Sequence, residues 1–286
     1  MSDAAPRLQP PPPEVVRADA ARALAEDIGS GDITSELTVP PDLDAQGDFI
    51  ARQPLIVAGL SLLPLIYEAR GGALLQIFAS DGQHAETGRR LAAVSAKACT
   101  LLECERVALN FLQRLSGIAT LTRKYVDAIA GTKAQLLDTR KTTPGLRRLE
   151  KMAAAAGGAV NHRTGLFDAV LIKNNHITAA GGVKNALERA RAFDGPVEIE
   201  VRTRAELDEA LQAGATHLLL DNLSAEEAVE WIRYIGGRAT VELSGGITLE
   251  NVRGYAEAGT DFISCGAITH SAPGVDISFR LQLHAQ

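Results

Sequence analysis

The stretch VEIEVRTRAELDEALQAGATHLLLD at residues 197–221 indicates how this 286-residue chain folds. It starts and ends with short apolar runs, VEIEV at 197–201 and HLLLD at 217–221. Between them, residues 204–212 carry apolar side chains at helical spacing, and Gly214 follows where a helix C-cap is expected. A strand, a helix and a second strand in so short a stretch are typical of a parallel sheet with helical crossovers.

The same pattern recurs through the second half of the chain. Further apolar runs lie at 134–138, 169–173, 239–243 and 261–264. Runs that are largely apolar throughout are expected where both faces of a parallel sheet are buried. Nearly every run ends in a polar or charged residue, and a parallel barrel collects its functional groups at the carboxyl ends of its strands. An open doubly wound sheet would gather them at one switch point, and the chain has no GxGxxG motif, so we expect an α/β barrel.

The N-terminal part of the chain has a different pattern. Residues 1–13 include four consecutive prolines and are expected to form a disordered tail. Residues 14–125 are predicted to form an N-terminal α/β domain of the α+β kind with a helical linker. Its predicted elements are a helix at 15–27, a turn-rich connector at 29–36, strands near 47–51 and 88–93, a helix through 62–69, and helical sequence at 105–130 that is continuous or divided near Gly117. The barrel is expected at 126–275, and a C-terminal segment at 276–286 is expected to return to the N-terminal domain.

The composition narrows the class of protein. A net charge of -6 disfavours nucleic-acid binding, which needs a broad basic face. The apolar stretch at 55–67 is too short and too interrupted to span a membrane, and residues 1–13 lack the apolar core of a secretion signal. The three cysteines are an odd number, so they cannot form a fully paired disulfide framework. We therefore expect a soluble cytoplasmic enzyme with reduced thiols and with no nucleic-acid or membrane partner.

Positive charge is concentrated in one window of this acidic chain. Residues 138–173 contain seven Lys and Arg residues and three acidic residues, a net charge of +4. The cations that flank the predicted strands there are Arg140, Lys141, His162, Arg163 and Lys173. Arginine binds carboxylate or phosphate through two parallel hydrogen bonds, and lysine acts as a point charge, so the window predicts an anion site. Lys173 at a strand end also leaves open a Schiff-base lysine of the aldolase kind.

Carboxylates and small residues follow other predicted strands. Glu200 and Asp221 could bind sugar hydroxyls, hold Mg²⁺, act as a general acid and base, or balance the nearby cations. LSGGITLENV at 243–252 and SCGAITHS at 264–271 leave backbone N–H groups uncovered, and a following helix would add its positive end, as in many phosphate sites. These features predict a phosphorylated sugar and a carboxylate-bearing partner as substrates.

Long segments of the chain resemble the quinolinate phosphoribosyltransferases, the carboxylating nicotinate-nucleotide pyrophosphorylases. The resemblance extends over roughly residues 20–280. It is carried, in this order, by ERVALNFLQRLSGIAT (105–120), DTRKTTPGLR (138–147), NHRTGLFDAVLIKNNHI (161–177), EIEV (198–201), LLLDN (218–222), SGGI (244–247) and ISCGAITHS (263–271). Motifs of this length in this order are highly specific.

The resemblance implies a fold, an assembly and a reaction. The implied fold is an incomplete, seven-stranded TIM-like α/β barrel beside the N-terminal domain, in a homodimer or a higher assembly whose subunits share active sites. The implied reaction joins quinolinate to phosphoribosyl pyrophosphate and requires Mg²⁺. It gives nicotinate mononucleotide, pyrophosphate and CO₂, as in the de novo synthesis of NAD.

The resemblance also implies a role for individual residues. The quinolinate carboxylates are expected to bind Thr139, Arg140, His162, Arg163 and Lys173, with Arg106 reaching the site of the partner subunit. The residues expected to act in catalysis and to contact phosphoribosyl pyrophosphate are Lys141, Glu200 and Asp221, the last two also holding the metal, partly through the substrate. The 5′-phosphate is expected at two loops, Ser244, Gly245 and Gly246, and Cys265, Gly266 and Ala267.

Two departures and three alternatives accompany this interpretation. Asn174 stands where family members often have an acidic residue, and Leu243 stands where EASGG is the common pattern. The nearest alternative is the related pyrophosphorylase-like protein found with molybdenum transport systems. The others are a Schiff-base aldolase using Lys173 and a non-catalytic anion-binding protein. The complete cation set favours the phosphoribosyltransferase, because it suits a dicarboxylate.

Overall fold

The computed structural model describes residues 11–283, which form two compact units. The barrel unit consists of residues 124–142 and 159–270, and the N-terminal unit of residues 11–123, 143–158 and 271–283. Most of the predicted tail at 1–13 and the last three residues of the predicted C-terminal segment lie outside the described range. Within residues 11–283, no helix combines the length and the apolar character that crossing a bilayer requires.

Helices and strands alternate along most of the chain. Up to residue 128 the elements are α1 (Pro13–Ile28), α2 (Ile33–Thr38), β1 (Asp44–Ala51), β2 (Leu55–Ile56), α3 (Leu63–Glu68), β3 (Leu74–Ile77), β4 (His84–Ala85), β5 (Arg90–Lys97) and α4 (Ala98–Ala128). The remaining elements are β6 (Gln135–Leu137), α5 (Arg147–Gly157), β7 (Val170–Ile172), α6 (Asn174–Ala180), α7 (Val183–Ala190), β8 (Val197–Val201), α8 (Arg204–Gln212), β9 (His217–Asp221), α9 (Ala225–Ile235), β10 (Thr240–Ser244), α10 (Val252–Glu257), β11 (Phe262–Ser264), α11 (Ala267–His270) and β12 (Ile277–Leu283).

The N-terminal unit is built on an antiparallel sheet in the order β12-β1-β5-β3. The last described strand of the chain therefore pairs with the first, with Ala45 opposite Leu283 and Ala51 opposite Ile277. A second, two-stranded sheet joins β2 and β4. Helix α1 starts at Pro13, where the fixed φ of proline and its missing N–H are tolerated.

The structure corrects the predicted connector at 29–36 and decides whether the long helix is divided at Gly117. The segment predicted as a turn-rich connector contains α2, because the side chain of Asp32 caps it by accepting a hydrogen bond from the amide of Ser35. Gly117 lies inside the single helix α4 and does not divide it. A Cβ at Gly117 would lie 2.1 Å from the carbonyl oxygen of Pro273, so this glycine allows close packing.

The barrel unit contains a six-stranded parallel sheet in the order β6-β11-β10-β9-β8-β7. Val160 adds one parallel bridge to Leu137 beyond β6, at the place of the seventh strand that the family resemblance implies. The outward residues of the strands are apolar and pack against the helices. Ile199 and Val201 of β8 lie in one core cluster with Leu207 of α8 and Ile235 of α9.

The sheet closes on itself, and its inner face carries polar side chains. His162 follows the bridge at one edge, yet its Nε2 atom lies 3.3 Å from Oε2 of Glu198 on β8. The strand order alone would separate these positions by five strand spacings in a flat sheet, roughly 24 Å, so the sheet must curl into an incomplete barrel. The prediction of strands apolar on both faces is correct for the outer face and only in part for the inner face, where Leu171 and Leu219 lie together with the buried Glu200 and Glu242.

Candidate active site

The barrel unit carries all of the predicted site residues except Arg106. They lie at or just beyond the carboxyl ends of its strands and of the Val160 bridge: Thr139, Arg140, Lys141, His162, Arg163, Lys173, Glu200, Asp221, Ser244, Gly245, Gly246, Cys265, Gly266 and Ala267. Arg106 is exposed on α4 in the N-terminal unit. The strand ends thus bring the predicted cations, carboxylates and glycine loops to the same end of the sheet.

Asp138 orders the loop that carries two of the predicted cations. It is fully buried directly after β6, and its Oδ1 atom accepts a hydrogen bond from the amide of His162 at 2.8 Å. Its Oδ2 atom accepts a second bond from Nδ2 of Asn161 at 2.6 Å. A buried carboxylate with this many donors holds the backbone at 161–163 in one conformation. Asp138 was not among the residues predicted for the site.

Arg140 and Arg163 bring two guanidinium groups close together. The pKa of Arg163 is lowered, first by burial and then by the positive charge of Arg140, against opposing contributions from Asp168 and Glu198. The Nε atom of Arg140 is buried and has no hydrogen-bond partner among the described residues. Two neighbouring cations, one with an unpartnered N–H, favour the binding of an anion between them.

The ring of His162 has both nitrogens engaged within the protein. Nδ1 accepts a hydrogen bond from the amide of Arg163 at 2.7 Å, so the ring hydrogen is placed on Nε2. Nε2 lies 3.3 Å from Oε2 of Glu198 and 3.6 Å from Oε2 of Glu242. Glu198 and Glu200 lie on the same face of β8, and the closed barrel brings Glu198 together with Glu242 at His162.

Lys173 and Glu200 form an ion pair within the barrel. Nζ of Lys173 donates to Oε2 of Glu200 at 3.0 Å, and Nη2 of Arg202 donates to Oε1 of the same carboxylate at 2.7 Å. Arg202 also lies 3.9 Å from Asp221 and was not predicted as a site residue. Because a Schiff base requires the free amine, an ammonium held by a buried carboxylate disfavours the aldolase alternative.

Asn222 links the second predicted carboxylate to the first glycine loop. Its Nδ2 atom donates to Oδ2 of Asp221 at 2.7 Å, and its amide donates to the carbonyl oxygen of Ser244 at 2.8 Å. Asn222 has a positive φ of 60°, and Gly245 has a φ of 94°. A Cβ at Gly245 would lie 2.2 Å from Oδ1 of Asn222, so only glycine fits there.

The glycine loops differ in their relation to the following helix. A helix follows each loop, as predicted, but residues 247–251 separate the first loop from α10, which starts at Val252. After Cys265, α11 starts at Ala267 and is four residues long. Burial raises the pKa of the Cys265 thiol, which suits packing rather than nucleophilic chemistry.

Lys141 lies against the second glycine loop. Its carbonyl oxygen accepts a hydrogen bond from Oγ1 of Thr269 at 2.8 Å. A Cβ at Gly266 would come within 2.9 Å of Cδ of Lys141, so the absence of a side chain makes room for the lysine stem. The stem of Lys141 therefore packs directly against this loop.

The two departures from the family pattern lie away from these contacts. Leu243 is 1% exposed and belongs to the core cluster on the outer face of β10. The next residue, Ser244, lies on the opposite face, so the bulk of Leu243 fills the helix-covered layer and not the loop. Asn174 is the first residue of α6, immediately after Lys173.

The donor set at Glu200 and Asp221 can be compared with the needs of Mg²⁺. This ion binds oxygen ligands, commonly one or two carboxylates together with substrate phosphates and water. Asp221 is partly exposed, whereas the buried carboxylate of Glu200 is already paired with Lys173 and Arg202. The residues fit a magnesium ion held mainly by substrate and Asp221, with Glu200 joining if it exchanges a cationic partner.

Comparison with known proteins gives matches along almost the whole chain. A family model of the quinolinate phosphoribosyl transferase C-terminal domain matches residues 118–280, and a model of the N-terminal domain of the same family matches residues 32–116. A carboxylating nicotinate-nucleotide pyrophosphorylase of Mycobacterium leprae is 41% identical over 269 residues, which cover 91% of this chain and 95% of that protein. A chloroplastic protein of the same name from Arabidopsis thaliana is 40% identical over 285 residues, 91% of this chain and 80% of that protein.

Solved structures agree with this match. The nicotinate-nucleotide pyrophosphorylase of Francisella tularensis superimposes with a TM-score of 0.90 at 38% identity, covering 95% of this chain and 97% of its own. A Streptococcus pyogenes structure superimposes with a TM-score of 0.92 at 35% identity, covering 97% of this chain and 100% of its own. At this level of identity, the likeness covers sequence as well as fold.

Proposed function

Because this chain belongs to the quinolinate phosphoribosyltransferase family, we propose that its barrel transfers the phosphoribosyl group of phosphoribosyl pyrophosphate to quinolinate and releases CO₂. The observation that carries this proposal is the juxtaposition of Arg140 and Arg163. Burial and then the charge of Arg140 lower the pKa of Arg163, and a bound anion would offset both effects. Quinolinate supplies two carboxylates for these two cations. The reaction places the enzyme in NAD biosynthesis.

Quinolinate binds at the cationic part of the site. Arg140 and Arg163 each offer a fork of N–H donors that matches a carboxylate, and the ammonium of Lys173 adds a third positive charge. Thr139 lies beside Arg140 and offers a hydroxyl. His162 supports this group through the amide of Arg163, and Arg106 of a neighbouring subunit completes it.

Phosphoribosyl pyrophosphate binds at the carboxylates and the glycine loops. The amides of Gly245, Gly246 and Gly266 are the donors for the 5′-phosphate. In the second loop the amide of Cys265 donates to the carbonyl oxygen of Leu137, and the amide of Ala267 donates to the sulfur of Cys265. Asp221, oriented by Asn222, lies between the first loop and Glu200 and is suited to the ribose hydroxyls and to Mg²⁺. When bound, Mg²⁺ neutralises charge on the pyrophosphate. Lys141 supplies a protein cation for the same purpose.

The mechanism rests on charges held in place before the reaction begins. The C1–oxygen bond of the ribose breaks, and its electron pair leaves with the pyrophosphate, which Lys141 stabilises. The pyridine nitrogen of quinolinate, held by Arg140 and Arg163, donates its lone pair to the oxocarbenium-like C1. The cationic ring then takes up the electrons of the C2–carboxylate bond as CO₂ departs, and a proton replaces the carboxylate at C2. No covalent enzyme intermediate is needed.

The assembly and location are also part of the proposal. Exposure of Arg106 on α4 suits a homodimer in which each subunit contributes this arginine to its neighbour. The three described cysteines, Cys99, Cys104 and Cys265, are unpaired thiols, which suits the reducing cytoplasm. The molybdenum-associated alternative is disfavoured by the cation set of Arg140, Arg163 and Lys173, which suits a dicarboxylate.

The direct test is an assay of the purified protein with quinolinate, phosphoribosyl pyrophosphate and Mg²⁺. We expect equal amounts of CO₂ and nicotinate mononucleotide, and a loss of turnover in Lys141→Ala. Nicotinate serves as the control substrate, because it lacks the C2 carboxylate that leaves as CO₂. Absence of CO₂ with all three components, in protein that is folded by circular dichroism, would contradict the proposal.

A further inference from the structure

Two acidic side chains of the barrel interior face the same imidazole. Glu198 on β8 and Glu242 on β10 both lie within hydrogen-bonding or ion-pair distance of Nε2 of His162, at 3.3 and 3.6 Å. The carboxylate ligand atoms and the ring nitrogen all lie within 4.8 Å of one another. The proposed mechanism gives neither glutamate a contact with substrate, so this cluster calls for a separate explanation.

The surroundings of Glu242 disfavour a negative charge on it. Its side chain is 4% exposed, against 17% for Glu198, and its Oε1 atom is buried with no hydrogen-bond partner among the described residues. Ionising it would leave an unsolvated oxygen next to a second carboxylate. Burial, followed by the charge of Glu198, raises the pKa of Glu242 to about 8, while His162 and the hydroxyl of Ser264 oppose this shift.

A bound metal ion explains the cluster less well than a proton. Nδ1 of His162 accepts the amide hydrogen of Arg163, which places the ring hydrogen on Nε2 and directs an N–H toward the carboxylates. A metal ligand would need a bare lone pair at that atom. One N–H and one acidic proton are enough to satisfy two facing carboxyl groups.

We infer that Glu242 is a positioning residue that carries a proton and donates it in a hydrogen bond to the side chain of Glu198, and that this pair fixes His162 and, through it, Arg163. The chain of contacts runs from the two glutamates to Nε2 of His162, and from Nδ1 to the backbone of Arg163. With a proton on Glu242, the two side chains carry one negative charge instead of two. A second negative charge near the quinolinate site would repel the substrate carboxylates. The inference rests on the proposed function for its kinetic consequence.

The kinetic test compares two substitutions at one position. Glu242→Gln keeps the shape and a hydrogen-bond donor, so we expect kcat/KM for quinolinate within about threefold of wild type near neutral pH. Glu242→Ala removes the contact to His162, so we expect the KM for quinolinate to rise about tenfold, with less than a twofold change in the KM for phosphoribosyl pyrophosphate. Similar damage by both substitutions, or an equal effect on both substrates, would overturn the inference.

A stability test requires no activity and therefore stays informative if the proposed function fails. The pKa of Glu242 rises from 4.5 to about 8 on folding, so between these values the folded protein binds a proton that the unfolded chain does not. Raising the pH through this window therefore removes stability from the wild type, and the loss is complete above pH 8. Glu242→Gln has no such proton, so its melting temperature should gain on that of the wild type between about pH 5 and pH 8.

The control is Glu257→Gln, the same chemical change at an exposed residue of α10. Its melting temperature should follow the wild type at every pH. Parallel curves for Glu242→Gln and wild type would show that Glu242 is ionised throughout and would refute the inference. A fall in the wild-type melting temperature on adding a chelator, absent in Glu242→Gln, would also refute it by identifying a metal ion at this cluster.

Discussion

Arg163 shows how much one side chain can depend on its neighbours. Its backbone amide donates to the ring of His162, and its guanidinium donates to the carbonyl oxygen of Ala169 at 3.2 Å. Burial, followed by the charge of Arg140, lowers its pKa. The two hydrogen bonds orient the side chain, and neither they nor the neighbouring arginine neutralise its charge. An anionic ligand is the partner that would relieve the repulsion.

We expect Arg163→Ala to weaken quinolinate binding far more than phosphoribosyl pyrophosphate binding. Loss of a charge-assisted pair should raise the KM for quinolinate roughly 10- to 100-fold. Arg163→Lys is the matched control. Its KM for quinolinate should lie between those of the wild type and Arg163→Ala, because lysine retains the charge but not the planar fork of donors. Steady-state kinetics with each substrate varied in turn give the answer, and equal losses for both ligands would contradict the assignment.

At the scale of elements, the loop after β10 depends on the residue that follows β9. Gly245 and Gly246 both have positive φ angles, so an alanine at either position carries the same kind of backbone strain. Only Gly245 faces Asn222, whose Oδ1 atom would lie 2.2 Å from an added Cβ, whereas nothing lies within 4 Å of a Cβ at Gly246.

Gly245→Ala should therefore be the more damaging of two otherwise similar substitutions. We expect it to destabilise the protein by about 1–3 kcal/mol more than Gly246→Ala, because Asn222 cannot stay in place. The displaced Asn222 also releases Asp221, so the KM for phosphoribosyl pyrophosphate should rise. Denaturant unfolding and kinetics of the pair decide the matter, and indistinguishable variants would be evidence against the packing described.

The elements show which features can be predicted from sequence and which depend on the fold. Strand β8 and helix α8 lie where predicted, because their apolar spacing is local information. The polar and charged residues at the strand ends could be predicted as well, because they directly follow the apolar runs in the sequence. The meeting of Glu198 with Glu242 could not be predicted, because it depends on how far the sheet curls. The positive φ of Asn222 is also set by its surroundings and has no counterpart in local composition.

For the whole molecule, the decisive question is whether two subunits build one site. Arg106 lies on α4 in the N-terminal unit, and Lys173 lies in the barrel unit. We expect Arg106→Ala and Lys173→Ala proteins to be inactive alone and to recover activity when mixed by unfolding and refolding. One of the two sites in each mixed dimer would then be intact, giving about a quarter of wild-type activity after random exchange.

The mixing experiment requires proof that exchange took place. Differently tagged subunits, isolated by both tags in succession, provide mixed dimers of known composition. The double variant Arg106→Ala/Lys173→Ala, unfolded and refolded alone, gives the background activity, because none of its sites can contain both residues. Mixed dimers without activity would show that each site belongs to a single subunit.

The alternation along β8 has a consequence for tolerance to mutation. Ile199 and Val201 point to the helices and are fully buried, while Glu198 and Glu200 point into the barrel. In a library of all single substitutions, the sensitive positions along β8 should therefore alternate. Substitutions at the outward residues should lower the abundance of the protein, and substitutions at the inward residues should lower its turnover. Truncating Ile199 should cost about 2–5 kcal/mol and lower the amount of folded protein, whereas Glu200→Gln should leave abundant protein that turns over poorly. Within one short strand, selection for stability thus acts on the outward residues, and selection for catalytic activity acts on the inward ones.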